Sequence, residues 1–470
     1  MIRIFNQYVS PKSVLLVFLE VGFILLGLLT GVRLRFWGSP EAFDSYIQAP
    51  MFVFQAVVFV VTLQMCFYYS DLYDLNAVRS QRDQFVCLTQ SLGVASLCLG
   101  LMYFFIPGLL IGRGVFFIST ALIAGFISIT RGALDHAWQM AAPKQNILIL
   151  GAGDLAQTVA CELAGRADLN ICVTGFVETR PGSGELRNTP LSGVPFLGWA
   201  EDLEETVETR KVSRVIVAME NRRGVLPIRE LVRLRVQGVD IEDAHSTIAA
   251  LSGRIWLDLV RPSWFIFTDG FHRSRATLIL KRLLDLVFGL LGLVLSFPVM
   301  LVTALIIRLD SKGPVLFSQT RVGFQGKSFR LLKFRSMRVD AEAASGAQWA
   351  QQNDARVTRI GRLLRKYRLD ELPQFLNIIR GEMSFVGPRP ERPVFVEQLR
   401  TVISYYDERH SVRPGLTGWA QVQYPYGASV EDACRKLEYE LFYLKNMSVL
   451  FDLLIILKTV RIIVAGRGGR

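Results

Sequence analysis

The stretch that decides the fold of the carboxy-terminal third is Arg356-Val-Thr-Arg-Ile-Gly-Arg-Leu-Leu-Arg-Lys-Tyr-Arg-Leu-Asp-Glu-Leu-Pro-Gln374. It has six cationic side chains before its first acidic residues, Asp370 and Glu371. Apolar and cationic residues occupy separate faces of a helical wheel: Ile360, Leu363, Leu364 and Tyr367 on one, Arg359, Arg362 and Lys366 on the other. This pattern predicts an amphipathic helix that rests on an apolar surface and presents positive charge.

A second helix is predicted directly after the first. Pro373 is accepted in the first turn of a helix, so this helix should begin near Asp370 and end at Gly381. Its amino terminus would offer free N–H groups and the positive end of a dipole, a site for phosphate beside two carboxylates. The alternative is an interfacial helix followed by a helix that Asp370 and Glu371 only cap.

The composition indicates a membrane protein with anionic ligands. The 470 residues are 51% hydrophobic and carry a net charge of +12, and the mean hydropathy is +0.33. Because the apolar residues occur in blocks, anionic lipid or phosphorylated substrates are favoured over nucleic acid as partners. Six cysteines without Cys-x-x-Cys spacing and four scattered histidines indicate neither a disulfide framework nor a zinc site.

Four apolar runs predict a transmembrane domain over residues 1–140. They cover residues 14–32, 51–69, 85–106 and 115–129, the last extending to about residue 134, and each approaches the ~20 residues that a membrane-crossing helix needs. The first run is too long for a cleaved signal peptide and is followed by no cleavage site. The flanking cations predict that the amino terminus and everything after residue 135 are cytoplasmic.

Residues 145–250 alternate between strands and helices and predict a Rossmann-like domain with a parallel sheet. Strands are expected at 146–150, 171–177, 213–218 and 239–242, with Gly151-Ala-Gly-Asp-Leu-Ala156 after the first. This glycine pattern and Glu178 leave nucleotide binding open. Within residues 145–250 the Tyr-x-x-x-Lys pair of the short-chain dehydrogenase and epimerase enzymes does not occur, so a regulatory or oligomerising module is preferred. Residues 251–280 are interpreted as a linker.

Residues 283–307 form a fifth apolar run, which we expect to enter the membrane without crossing it. Cations flank it on both sides, Lys281 and Arg282 before it and Arg308 and Lys312 after it, so both ends should be cytoplasmic. Pro298 removes a helical hydrogen bond and allows a kink, with Ser296 available to satisfy a freed group. This predicts a re-entrant helix, the alternative being an ordinary kinked span.

Three further segments supply cations. Alternation over residues 329–335 predicts a strand that presents Lys333 and Arg335 on one face, toward an anion. Gly387-Pro-Arg389-Pro is a rigid loop that fixes one arginine. Arg413 opens the turn Arg413-Pro-Gly-Leu-Thr-Gly-Trp419, which either seats a ligand or only packs its tryptophan.

From Lys281 to about residue 464 the chain resembles the bacterial polyprenyl-phosphate phosphoglycosyltransferases that begin exopolysaccharide and other surface-glycan synthesis. The resemblance rests on motifs in order: Lys281-Arg-x-x-Asp, the broken apolar helix, Phe317-x-Gln-x-Arg-x-Gly, Lys333-Phe-Arg-Ser-Met, Leu369-Asp-Glu-Leu-Pro-Gln, Gly387-Pro-Arg-Pro and Val412-Arg-Pro-Gly-Leu-Thr-Gly-Trp-Ala-Gln-Val. The four spans and the Rossmann-like domain resemble the large subtype. One departure is Ser296-Phe-Pro298, where small members have Ser and Pro adjacent.

The resemblance implies a chemistry and a site. Asp370, assisted by Glu371, would take a phosphosugar from a UDP-sugar, release UMP, and pass the phosphosugar to polyprenyl (undecaprenyl) phosphate. Lys333, Arg335, Arg365, Arg389 and Arg413 would bind substrate, and Mg²⁺ would be held through Glu371 and Asp370.

The expected fold is an α-helical membrane bundle, an α/β Rossmann-like domain and a mainly α catalytic domain over residues 281–470, whose interfacial helices lie on the cytoplasmic face of the bacterial inner membrane. Association with copies of itself is left open. Two other classes stay open: a membrane-anchored, NAD-dependent nucleotide-sugar epimerase or dehydratase, and a non-catalytic membrane scaffold.

Overall fold

The computed structural model describes residues 2–73, 81–141, 144–179, 193–219, 225–258, 265, 268, 270–271, 273–338, 356–425, 427 and 429–464. They belong to two compact units, Met1–Ala244 and His245–Arg470. The predicted transmembrane helices and the parallel sheet both lie in the first unit, and the predicted linker after residue 250 lies in the second.

The first unit begins with a hairpin and a helical bundle. Its elements are β1 (Ile2–Ile4), β2 (Gln7–Val9), α1 (Pro11–Arg35), α2 (Pro40–Ile47), α3 (Phe52–Tyr69), α4 (Gln81–Phe105) and α5 (Arg113–Ala141). By length and composition α1, α3, α4 and α5 can each cross a membrane. The prediction of several apolar spans is confirmed. The short helix α2 is an element that the sequence pattern did not reveal.

A buried ion pair ties the bundle together. Arg131 of α5 donates from Nε to Oε1 of Glu20 on α1 at 2.7 Å, and Tyr73 donates to the other oxygen of Glu20 at 2.6 Å. Both charged side chains are almost fully buried. Because an unpaired charge in such surroundings is very costly, this pair fixes the register of α1 against α5.

The parallel sheet follows the bundle, as predicted. Its elements are β3 (Gln145–Leu150), α6 (Asp154–Ala164), β4 (Ile171–Glu178), β5 (Phe196–Trp199), α7 (Leu203–Thr209), β6 (Arg214–Val217), α8 (Ile228–Val236) and β7 (Asp240–Asp243). All neighbouring strands are parallel in the order β5-β4-β3-β6-β7. Counted from β3 this order is 3-2-1-4-5, that of the first five strands of a Rossmann sheet. Strand β5 was not predicted.

The amino-terminal hairpin is bonded to this sheet through Tyr8. The Tyr8 hydroxyl donates to Glu242 of β7 at 2.5 Å and accepts from Arg214 of β6 at 3.0 Å. Arg166, just beyond α6, donates to the Tyr8 carbonyl at 2.9 Å. The residues that precede α1 are therefore part of the sheet domain.

The second unit carries a long apolar helix and a small α/β assembly. Its elements are α9 (Ala244–Ser252), α10 (Arg275–Asp310), β8 (Leu316–Val322), β9 (Ser328–Phe334), α11 (Arg359–Lys366), α12 (Gln374–Arg380), β10 (Ser384–Val386), α13 (Pro393–Val402), β11 (Gly415–Thr417), α14 (Trp419–Gln423), α15 (Val430–Asn446) and α16 (Val449–Val464). Strands β8 and β9 form an antiparallel ribbon, and β10 and β11 pair in parallel.

Helix α10 runs through Pro298 as one helix, longer at both ends than the predicted 283–307. Ser296 donates to the carbonyl of Leu293 at 3.5 Å rather than to the carbonyl of Val294, which the proline leaves without its N–H donor. Most of the large apolar side chains of α10 are exposed. Whether the helix crosses a membrane or returns stays a prediction.

Two buried side chains, Lys281 and Asp285, fasten the start of α10 to the rest of the unit. Lys281 donates to Asp452 of α16 at 2.6 Å and to the carbonyl of Val386 at 2.9 Å. One turn later Asp285 accepts from the Ser384 hydroxyl at 2.8 Å. The Lys-Arg-x-x-Asp motif thus joins the apolar helix to β10, which leads into the loop of Arg389.

Candidate active site

Asp370 and Glu371 lie in a tight turn between α11 and α12. The turn is a 3₁₀ helix over Leu369–Glu371, and Arg368 before it has left-handed backbone angles, φ 53° and ψ 25°. Helix α12 begins only at Gln374, with Pro373 as its N-cap. The prediction that the second helix starts near Asp370 was therefore wrong, because the left-handed residue ends α11 and a short turn intervenes.

Glu371 is held by three cations. Arg389 Nη2 lies 2.6 Å from Oε1, Lys333 Nζ 3.6 Å from the same oxygen, and Arg368 Nη1 3.5 Å from Oε2. Burial alone would raise the pKa of Glu371, but Arg389, Lys333 and Arg368 outweigh it and hold the pKa well below its ordinary value. Glu371 is therefore an ionised carboxylate.

Asp370 is different from its neighbour. It is 7% exposed, and within the part of the chain that the structure describes no side chain is within ion-pair or hydrogen-bond distance of its carboxylate. Burial raises its pKa above the ordinary value, with Glu371 adding to the shift and Lys333, Arg365 and Arg389 opposing it. A buried carboxylate without a bonded partner keeps both oxygens available for reaction.

Lys333 is positioned by the contact of β9 with α12. Asn377 of α12 accepts from the Leu332 N–H at 3.0 Å and donates to the Arg330 carbonyl at 2.8 Å. These two bonds fix the backbone on either side of residue 331 and so place the next residues of β9. The pKa of Lys333 is lowered by burial, against the opposing effect of Glu371.

The backbone of Arg389 is held in place by Arg409 and Glu440. Arg409 donates to the Arg389 carbonyl at 2.8 Å and is itself held by Glu440 through bonds of 2.9 and 2.8 Å. Arg409 and Glu440 are buried. The loop that carries Arg389 therefore rests on a buried ion pair, which keeps the guanidinium directed at Glu371.

Arg365 lies in the last turn of α11, close enough to Asp370 to act on its charge. Helix α11 approaches residue 336 closely: a Cβ on Gly361 would lie 1.9 Å from the Ser336 carbonyl oxygen. Glycine is therefore required there, and the close approach sets the position of α11 beside β9. Arg413 is exposed and donates to the Gly381 carbonyl at 2.9 Å, so it lies where α12 ends.

Arg335 does not join this group. It lies one residue beyond β9, is buried, and donates to the carbonyls of Lys312 and Ser311 at 2.7 Å each. It therefore binds the end of α10. The prediction that Lys333 and Arg335 present their charges in the same direction was wrong, because this guanidinium is drawn to the carbonyls that end a helix.

Sequence reasoning missed three residues of the site: Arg368, Asn377 and Arg409. Arg368 lies inside the quoted basic run, but only its left-handed backbone brings its side chain to Glu371. Asn377 and Arg409 act indirectly on the site. Each donates a hydrogen bond to a backbone carbonyl in a segment that carries one of the cations, Lys333 or Arg389. A buried asparagine on the apolar face of a helix was the one available signal.

The site contains oxygen donors that suit Mg²⁺, which prefers carboxylates completed by substrate phosphates and water. Among the described residues no group of three or more His, Cys, Asp or Glu side chains is placed to hold a metal ion. The donors are thus limited to the two carboxylates, and Glu371 already faces three cations. The residues fit Mg²⁺ only as a site that an incoming diphosphate completes.

Comparisons with known proteins place this unit in a family. The model of the bacterial sugar transferase family matches residues 276–466, and a CoA-binding domain model matches residues 69–242. The UDP-glucose:undecaprenyl-phosphate glucose-1-phosphate transferase of Caulobacter vibrioides is 44% identical over 182 residues, 38% of this chain and 68% of that protein. The chain belongs to the bacterial sugar transferase family.

Two longer matches extend further along the chain. The UDP-N-acetylgalactosamine-undecaprenyl-phosphate N-acetylgalactosaminephosphotransferase of Aeromonas hydrophila is 41% identical over 242 residues, 52% of this chain and 56% of that protein. The UDP-glucose:undecaprenyl-phosphate glucose-1-phosphate transferase of Escherichia coli K12 is 38% identical over 276 residues, 56% of this chain and 57% of that protein. The chain thus spans just over half the length of these two relatives.

Proposed function

We propose that this protein transfers a hexose-1-phosphate from a UDP-sugar to undecaprenyl phosphate, releasing UMP, through a phosphosugar bound covalently to Asp370. The observation that carries the proposal is the contrast between the two carboxylates. Glu371 is bound by three cations, whereas Asp370 is buried near two of them, Lys333 and Arg389, and forms no ion pair with either. The relatives named above, which act on UDP-sugars and undecaprenyl phosphate, support the substrate class.

In the first step an Asp370 oxygen attacks the β-phosphorus of the donor. A bond forms between the carboxylate oxygen and phosphorus, the bond from phosphorus to the bridging oxygen breaks, and its electron pair leaves with UMP. The barrier is the repulsion between a carboxylate and a diphosphate. Lys333, Arg365 and Arg389 neutralise this charge, and losing one such contact typically costs ~2–4 kcal/mol of transition-state stabilisation.

In the second step the undecaprenyl phosphate oxygen attacks the same phosphorus and the Asp370 carboxylate is released. Neither step requires a general base, because both nucleophiles are already anions. Glu371 keeps the cations in place between the two steps. Mg²⁺, held by Asp370 and Glu371 together with the diphosphate, would take up further negative charge when bound.

The packing of α10 supports a re-entrant path. Before Pro298, a Cβ on Gly292 would lie 2.7 Å from the ring of Phe375; after it, Ile307 packs in a cluster with Phe334 and Leu364. A crossing helix needs ~20 residues in hydrocarbon, yet elements of the same small unit contact α10 on both sides of the proline. We therefore place both ends of α10 on the cytoplasmic face of the inner membrane, where the enzyme begins exopolysaccharide or another surface glycan.

The test is to incubate purified protein with UDP-sugars labelled in the sugar, without lipid acceptor. Stoichiometric label on the wild-type protein with free UMP is expected, and none on Asp370→Asn, whose amide is isosteric but not a nucleophile. A panel of UDP-glucose, UDP-galactose and UDP-N-acetylgalactosamine would identify the sugar. Label on the asparagine variant, or transfer to lipid without any protein-bound intermediate, would overturn the proposal.

A further inference from the structure

Gln374, the first residue of α12, carries a buried amide whose N–H groups are not used by the fold. Only 3% of the residue is exposed, and among the residues that the structure describes its Nε2 has no hydrogen-bond partner. A buried N–H group that has lost its bonds to water and gained no others lowers the stability of a fold. Such a group is therefore explained by a role other than stability.

Asn377, three residues later on the same helix, shows how a purely structural amide is bonded in this place. Its oxygen accepts from the Leu332 N–H at 3.0 Å. Its Nδ2 donates to the Arg330 carbonyl at 2.8 Å and to the Glu382 carboxylate at 2.6 Å. The amide nitrogen of Asn377 thus has two acceptors, whereas that of Gln374 has none.

The backbone places Gln374 one helical turn beyond the acidic pair. Leu372 and Pro373 both have right-handed helical backbone angles, so the turn that contains the acidic pair continues into α12 without a reversal. Residues three or four apart lie on the same side of a helix. Gln374 therefore shares a side with the acidic pair before it and with Asn377 after it, and the bonds of Asn377 show that this side faces β9.

The acceptor that Gln374 lacks can come from the substrate. Asp370 and Glu371 are the nearest acidic residues in the chain, and neither accepts from its Nε2. When Asp370 attacks, the phosphorus lies about 3–3.5 Å from the attacking oxygen. The non-bridging oxygens on that phosphorus are then the substrate acceptors nearest to the nucleophile, and so are within reach of an N–H group one turn away.

We propose that Gln374 donates a hydrogen bond from Nε2 to a non-bridging oxygen on the β-phosphorus of the UDP-sugar. This inference rests on the function proposed above. The same phosphorus is attacked in both steps, first by Asp370 and then by the lipid phosphate, so the hydrogen bond stabilises both transition states. Because it contacts only the β-phosphate, it does not retain UMP once the bond from phosphorus to the bridging oxygen has broken.

The first measurement is nucleotide binding without turnover. UDP has a β-phosphate and UMP does not, so the ratio of their dissociation constants reports contacts to that group. Gln374→Met keeps the length of the side chain and removes the N–H groups, and it should weaken UDP binding about tenfold while UMP binding stays unchanged. The matched control Gln398→Met, at an exposed position of α13, should bind both nucleotides as the wild type does.

The second measurement is the rate at which labelled sugar appears on the protein at saturating UDP-sugar. Gln374→Met should slow this step about 10–100-fold. Its thermal unfolding midpoint should be no lower than that of the wild type, because methionine removes an unpaired buried N–H group. A residue that only supports the fold gives the reverse pattern, a lowered midpoint and a wild-type rate per folded molecule.

The two measurements separate this inference from the proposed function. The inference is overturned if Gln374→Met and Gln398→Met bind UDP equally well, or if Gln374→Met has a lowered midpoint and labels at the wild-type rate. If Gln374→Met loses affinity for UDP but not for UMP, and the wild type takes up no label, the contact stands and the covalent reaction is rejected.

Discussion

Asp370 and Glu371 are adjacent and follow the same basic run, but their electrostatic surroundings differ. Glu371 has a lowered pKa because cations contact it, and Asp370 has a raised pKa because it is buried without such contacts. A carboxylate that is ionised but poorly stabilised is the better nucleophile. The difference between Asp370 and Glu371 is thus a matter of contact geometry.

Lys333 controls the pH range in which Asp370 is ionised. Its charge lowers the pKa of Asp370, so Lys333→Met should raise that pKa further and move the acidic limb of the pH–rate profile to higher pH. Turnover at neutral pH should also fall about 10²–10³-fold. Steady-state UMP release from pH 4.5 to 8.5 measures both effects. Lys327→Met serves as the matched control, and an unshifted acidic limb in Lys333→Met would contradict the assignment.

Glu371 links the stability of the fold to pH. Its folded pKa is depressed below the unfolded value, so its stabilisation is present above the unfolded pKa and is lost as pH falls through the folded pKa. Glu371→Gln leaves three cations facing an amide and should lower the unfolding midpoint at pH 7, the difference from wild type shrinking below about pH 4. Thermal unfolding at several pH values checks this. A difference that is independent of pH would mean that packing alone is responsible.

At the scale of elements, repeated patterns were predictable and local exceptions were not. The apolar runs became α1, α3, α4 and α5. The strand–helix order of residues 145–250 located β3, β4, β6 and β7, and the alternation of residues 329–335 located β9, each within one or two residues, because burial imposes a pattern on the sequence. Strand β5 is as short as β6 and β7, but it contains a glycine, which weakens the pattern of a strand. The direction of Arg335 and the left-handed Arg368 depend on contacts with distant residues, so no local pattern reports them.

The path of α10 can be tested by labelling its ends. Cysteines at exposed positions 275 and 312, in a variant without the native cysteines, should react with an impermeant thiol reagent only after the inner membrane of spheroplasts is opened. A cysteine at exposed Ser39, between α1 and α3, should react in intact spheroplasts, because the flanking charges predict that it lies outside. Reaction of either end of α10 from outside would show that the helix crosses.

At the scale of the molecule, each compact unit contains buried ion pairs of its own. The first unit depends on a buried ion pair within its helical bundle, and the proposed chemistry lies entirely in the second. Glu20→Gln removes one partner of the pair, which typically costs about 3–5 kcal/mol, so it should lower the unfolding midpoint in detergent. Turnover per folded molecule should stay near that of the control Glu41→Gln, an exposed residue of α2. Equal midpoints would show that the ion pair adds nothing.

The bond between Tyr8 and Glu242 has a consequence for biosynthesis. The hairpin leaves the ribosome before α1, but its partner strand β7 follows more than 230 residues later. Helix α1 is therefore made while the hairpin before it is still undocked. Docking of the hairpin onto the sheet then takes place late in translation, so a bulky group fused directly before the hairpin would interfere with this step of assembly.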